Sequence, residues 1–184
     1  MPPSPPFPPP PSAELIAARV AALAPALNGA AWALDVKRSG SIAPFMTLMG
    51  APWLIAQAVK ASGEPAATRT FALSAEGLSD HIVATGIFAN RSEATTWTWA
   101  PFMRPSPLGA LPACLAIDGE GRLVMLSHNT AKAMLVSATM LPVERDAADS
   151  ARDRLDILLS VVDGAGKVLL ELRRVFTRAR SGAA

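Results

Sequence analysis

Between residues 168 and 177 the chain alternates, with Val168, Leu170, Leu172, Arg174 and Phe176 on one face of an extended strand and Leu169, Glu171, Arg173, Val175 and Thr177 on the other. The first face is apolar apart from one arginine. A guanidinium cannot be neutralised, so on a buried face it needs an anion, a hydrogen-bonding network or water. The same period-two pattern, broken by turn residues, predicts strands over 68–73, 78–85, 92–99, 113–117, 123–126, 132–140 and 155–162. Turns fall at Glu76–Gly77, Asp118–Gly119 and Asp163–Gly164, another begins at His128 and Asn129, and a connection rich in proline (Pro101, Pro105, Pro107, Pro112) delays the strand at 113.

Ahead of residue 66 the period changes. Ser12 can cap a helix over 13–27 with Leu15, Ile16, Val20 and Leu23 at helical spacing, ended by Asn28 and Gly29. Trp32, Leu34 and Val36 alternate as a first strand. Two short helices follow, one over 42–48 capped by Ser39 or Ser41, the other over 52–61 with Pro52 in its first turn and Gly50 between them. Both are apolar, carrying Phe45, Met46, Leu48 and Met49, then Trp53, Leu54, Ile55 and Val59. One strand, two small helices and about nine further strands in hairpin order exceed what a flat antiparallel sheet carries without curling or splitting. The expectation is a mainly β protein: an up-and-down barrel, its mouth lidded by the helix pair, with room for one small ligand. Residues 1–12 read as a disordered proline-rich tail, 13–28 as an added helix, 29–180 as the barrel domain and 181–184 as a second tail.

Composition narrows the classes. With 184 residues, 51% hydrophobic and 17% charged, there is ample material for one core. A formal charge of +2 with scattered Lys and Arg argues against nucleic acid as a partner. The single Cys114 forms no internal disulfide, which points to the cytoplasm. No apolar run reaches the ~20 residues of a membrane span. His81 and His128 lack carboxylate or cysteine neighbours at metal-ligand spacing, so no metal and no cofactor are expected.

Several short motifs, in order, resemble the intracellular fatty-acid-binding proteins, a family of ten-stranded calycin-like β-barrels capped by a helix-turn-helix. Trp32 and Leu34 look like the family's opening aromatic-x-aliphatic strand, and Phe45, Met46 and Gly50 like the end of its first helix. Phe88, Ala89 and Asn90 resemble its turn after the third barrel strand; Arg174, Val175, Phe176, Thr177 and Arg178 look like its closing Arg-Val-Tyr-x-Arg. The resemblance spans Trp32 to Arg178. Departures accompany it: Ser41, Ile42 and Ala43 replace the family's Asn-aromatic-acid signature, Phe176 stands where its carboxylate-binding tyrosine would, and no arginine lies between Arg122 and Arg145 to supply a second interior cation.

The resemblance implies a non-catalytic cytosolic carrier of a fatty acid or similar amphipathic lipid, monomeric, with transient membrane contact. Arg174 would anchor a head group beside Phe176; Phe45, Met46, Met49, Trp53, Phe88 and Met134 would line the portal and cavity; Arg178 would stack on Trp32 in a structural role. For the helix residues ordinary packing onto the barrel is the alternative. For Met134, with Val136, Ala138 and Met140 on its face, it is exterior packing against the N-terminal helix. Trp97 and Trp99 share a face, either cavity wall or a helix dock. Two other functions stay open: an enzyme acting on an acyl or isoprenoid-type substrate in a sheet wrapped around one long helix, and an interaction module with a filled barrel. No Gly-x-Ser-x-Gly elbow, phosphate loop or helical histidine pair supports the enzyme.

Overall fold

Among the described residues the strands form one sheet in the order β4-β3-β2-β1-β10-β9-β8-β7-β6-β5, with each strand antiparallel to its neighbours. The computed structural model describes residues 7–85, 91–106 and 109–179. Helix α1 (Ala13–Leu27) precedes β1 (Ala31–Leu34), and helices α2 (Ala43–Met49) and α3 (Trp53–Ser62) follow it. The wall then continues through β2 (Ala66–Leu73), β3 (Gly77–Thr85), β4 (Arg91–Thr98), β5 (Phe102–Arg104), β6 (Leu111–Ile117), β7 (Leu123–Asn129), β8 (Met134–Met140), β9 (Arg154–Asp163) and β10 (Val168–Arg178). Pairing of β1 with β10, Trp32 opposite Arg178 and Leu34 opposite Phe176, curls the sheet into a barrel. The two ends of the strip, β4 and β5, are not paired with each other. Side chains bridge that seam, with Trp97 edge-on to Phe102 at 6.1 Å between ring centroids.

Directly paired residues share a face of the sheet, so the register separates interior from exterior. Trp32, Phe71, Leu78, Trp97, Leu115, Met125, Leu155, Ile157 and Phe176 point inward and form one buried cluster. It fills the end of the barrel where β10 finishes. Helix α1 closes that end: Leu27 joins the cluster, and Ile16, Val20 and Leu23 pack on it. Ser12 Oγ accepts the Leu15 N–H at 3.3 Å to start the helix, and its last turn tolerates Pro25.

Three expectations are corrected. The proline connection contains a strand, β5, because a three-residue edge strand paired only with β6 leaves Pro101 and Pro105 outside the ladder. The turn expected at His128–Asn129 is made by a 3-10 turn over Thr130–Lys132, and both residues are buried in β7, paired with Leu135 and Met134. Phe7, placed by sequence in a loose tail, packs against a cluster of Cys114, Ala116, Val124 and Leu126. The exterior face of β6 and β7 is apolar there, and Phe7 covers it.

Candidate functional site

The opposite end of the barrel lies under α2 and α3. Gly50, at φ 92°, ends α2 in the left-handed conformation that a side chain disfavours, and so turns the chain into α3. Lys132 Nζ, from the β7–β8 turn, donates to the Leu48 carbonyl at 2.7 Å and holds the end of α2 to the wall. Phe45, Leu48 and Met49 pack on Met134, Val136 and Val161. On the other side of α2 a cavity of about 570 Å³ opens between the helices and the ends of β2, β3 and β4. Ile42, Phe45, Met46, Ile55 and Val59 give it apolar walls, and Glu64 sits at its polar edge. Small-molecule pockets span roughly 300–1,000 Å³, so one ligand fits.

Arg178 lies at the closed end, and three further arginines, Arg174, Arg69 and Arg104, face the interior and differ in what neutralises them. Arg174 is engaged by Glu64: both guanidinium NH2 groups donate to the two carboxylate oxygens, Nη1 at 2.9 Å, and Nη1 also donates to the Gly40 carbonyl at 2.6 Å. Glu64 in turn accepts the backbone N–H of Ile42 at the start of α2. Of the caps expected from Ser39 or Ser41, Ser41 Oγ accepts the Ala43 N–H at 3.3 Å, whereas Ser39 Oγ is taken by the Val175 backbone of β10, and an acid from the β2 approach serves the start of α2 in its place. Arg69 forms a second bidentate pair, with Asp80, Nε to Oδ1 at 3.1 Å, and lies over the rings of Phe71 and Phe176 at 5.1 and 5.8 Å. The third, Arg104 on β5, stacks over Trp97 at 5.3 Å, and its buried Nε has no acceptor among the described residues. Burial pushes the Arg104 guanidinium below its ordinary value, while Glu93 and Asp80 pull it up and Arg91 pushes it down.

The candidates from the sequence separate accordingly. Phe45 and Met46 line the cavity, and Met49 and Met134 meet in the packing beneath α2. Trp53 points away at 70% exposure, next to Leu54. Phe176 lies in the filled core, not at the cavity. Arg178 stands 5.7 Å from the Trp32 ring and near Asp153 at the closed end. Trp97 and Trp99 are buried interior residues, Trp99 donating to the Ala75 carbonyl at 2.8 Å. Phe88 lies outside the described residues. Four interior charges escaped the sequence reading: Glu64, Arg69, Asp80 and Arg104. For two of them a signal existed, since Arg69 shares a face with Phe71 and Leu73, and Asp80 with Leu78.

A ten-stranded antiparallel barrel with a helix-turn-helix over one mouth is the fatty-acid-binding-protein fold, and solved structures match it at that level. The fatty-acid-binding protein isolated from Manduca sexta superposes with a TM-score of 0.54 at 12% identity, over 83% of this chain and 99% of its own. A Schistosoma mansoni fatty-acid-binding protein in complex with arachidonic acid gives 0.53 at 16% identity, over 82% and 95%. An abundant heat soluble (SAHS) protein from Ramazzottius varieornatus gives 0.56 at 11% identity, over 82% and 93%. No protein-family model and no curated protein matches the sequence. What the chain shares with these structures is the fold.

Proposed function

We propose that the protein binds and carries one amphipathic lipid, a fatty acid or a related molecule, in the cavity beneath α2 and α3. The observation that carries this reading is the apolar cavity of about 570 Å³ at the lidded mouth of the barrel. Its supports are the shared fold and the fatty acids named for two of the matching structures. Burial of the tail supplies affinity at ~0.8 kcal/mol per methylene. Release then requires α2 and α3 to lift from the wall. Arg174, read from sequence as the head-group anchor, would have to exchange Glu64 for the ligand. The carrier is read as a cytosolic monomer that touches membranes in passing. Among the described residues no helix is long and apolar enough to cross a membrane.

One observation favours a second reading. The closed half of the barrel is packed solid, with Trp32, Leu78 and Leu155 fully buried, as a filled interaction module would require. The enzyme in a wrapped sheet needed one long central helix, and the chain places two short ones over the mouth. Displacement of dansyl-labelled undecanoic acid by palmitic acid tests the carrier. Saturable displacement at one site supports it; no displacement, together with no lipid mass in native mass spectra of protein purified from its own source, rejects it in favour of the module.

A further inference from the structure

The carrier reading leaves open what receives the polar end of the ligand, and the interior charges narrow that choice. Arg174 and Arg69 each spend a bidentate fork on a buried carboxylate, Glu64 and Asp80. Displacing either acid would strand it in a low-dielectric wall, which is costly. Arg104 has no such partner. Among the described residues no carboxylate pairs with it, and its contact is the face of Trp97. The acid nearest along the seam, Glu93, is engaged by Arg91.

Position supports the same residue. A second cavity, of about 470 Å³, opens through the seam between β4 and β5, lined by Arg104, Phe102, Thr95 and Thr96 and by the Arg91–Glu93 ion pair. Because β4 and β5 end the sheet, each has one edge without a strand partner, and the seam between them is where the opening lies. Arg91 lines both this cavity and the apolar one under α2, so the two adjoin.

We propose that Arg104 is the head-group receptor: the ligand's carboxylate sits on Arg104 in the β4–β5 seam while its tail lies in the apolar cavity under α2 and α3. The inference rests on the carrier reading. A planar fork accepts a carboxylate bidentately, and Trp97 beneath it fixes the plane. The site discriminates by charge. An alcohol with the same tail would be buried equally well but would forgo the charge-assisted bonds.

The test compares palmitic acid with hexadecanol as competitors of dansyl-labelled undecanoic acid, on the full chain and on Arg104→Gln. The expected result is a loss of about tenfold or more in palmitate affinity with hexadecanol unchanged, the size of a charge-assisted hydrogen bond. Equal losses for both lipids, or none, overturn the assignment and leave the carrier standing. Binding of neither lipid by the wild-type chain overturns the carrier and the assignment with it. An independent readout guards against a misfolded variant: in the wild-type protein the Arg104 Nε–H resonance should shift on adding palmitate and stay in place on adding hexadecanol. A resonance that responds alike to both overturns the assignment.

Discussion

Replacing Arg174 with leucine should loosen the lid before it touches any ligand. The guanidinium holds three things at once: both oxygens of Glu64, the carbonyl of Gly40 and, through Glu64, the backbone N–H of Ile42 just ahead of α2. Arg174 and Glu64 side chains are 12% and 7% exposed, so solvent does little to screen the pair. Removing one partner of a buried pair costs about 3–5 kcal/mol, because the other charge is left without compensation. Against a total stability of roughly 5–15 kcal/mol this is a large fraction. At about 2–4 °C per kcal/mol for a chain of this size, the melting temperature should fall by roughly 6–20 °C. Removing both charges, Arg174→Leu with Glu64→Leu, should recover most of the loss. Urea unfolding of the wild type, both single variants and the double variant closes the cycle. A single Arg174→Leu cost below about 1 kcal/mol, or a double variant no more stable than the worse single, would refute the reasoning. The double variant also isolates the head-group question: if Arg174 does receive the ligand, palmitate should bind more weakly there relative to hexadecanol.

Burial raises the Asp156 carboxyl, but hydrogen bonds and charge from Arg154 and Arg173 outweigh it and leave the group below its ordinary value. A depressed native value means the unfolded chain binds the extra proton, so stability present above about pH 4 should be lost as pH falls further, and Asp156→Asn should flatten that slope in urea titrations. Cys114 is buried under Phe7 and its thiol is pushed up to about 11, so an aromatic disulfide reagent at pH 8 should label it only as fast as the protein unfolds. Gly77, at φ 149°, faces the Trp97 carbonyl, into which a β-carbon would run; Gly77→Ala should cost at least about 2 kcal/mol in the same unfolding assay. Phe45→Ala should weaken palmitate and hexadecanol alike, by about 1–3 kcal/mol in the displacement titration, since Phe45 forms part of the apolar wall of the cavity.

Alternation made most of the wall legible. The face that carries Arg174 does point inward, and β2, β3, β4, β6, β8 and β9 lie where period two and the turn residues put them, within a few residues. The helix pair was legible from Gly50 and Pro52, residues whose backbone demands are local. What failed to show was whatever depends on a neighbour distant in sequence. Glu64 stands in a Gly-Glu-Pro link with nothing local to mark it, and its role comes from Arg174, 110 residues away. Arg104 was hidden for a different reason. Three residues between two prolines carry too little pattern to read as a strand, and only the ladder with β6 gives Arg104 an inside. Phe176 carried the opposite lesson: its resemblance to a head-group position suggested the site, whereas Leu34 and Leu155 on either side hold it in the core.

The unpaired seam has a mechanical consequence. A wall sewn shut by backbone hydrogen bonds has a fixed girth, and stretching it means breaking a ladder. Here the circumference ends in two free hems, β4 and β5, clasped where Trp97 meets Phe102. Letting that clasp out costs the Trp97–Phe102 contact of about 0.5–1.5 kcal/mol and the stacking of Arg104 on Trp97, instead of a row of hydrogen bonds. If the barrel carries a ligand as proposed, its girth would adjust at this seam before any ladder of the wall gave way.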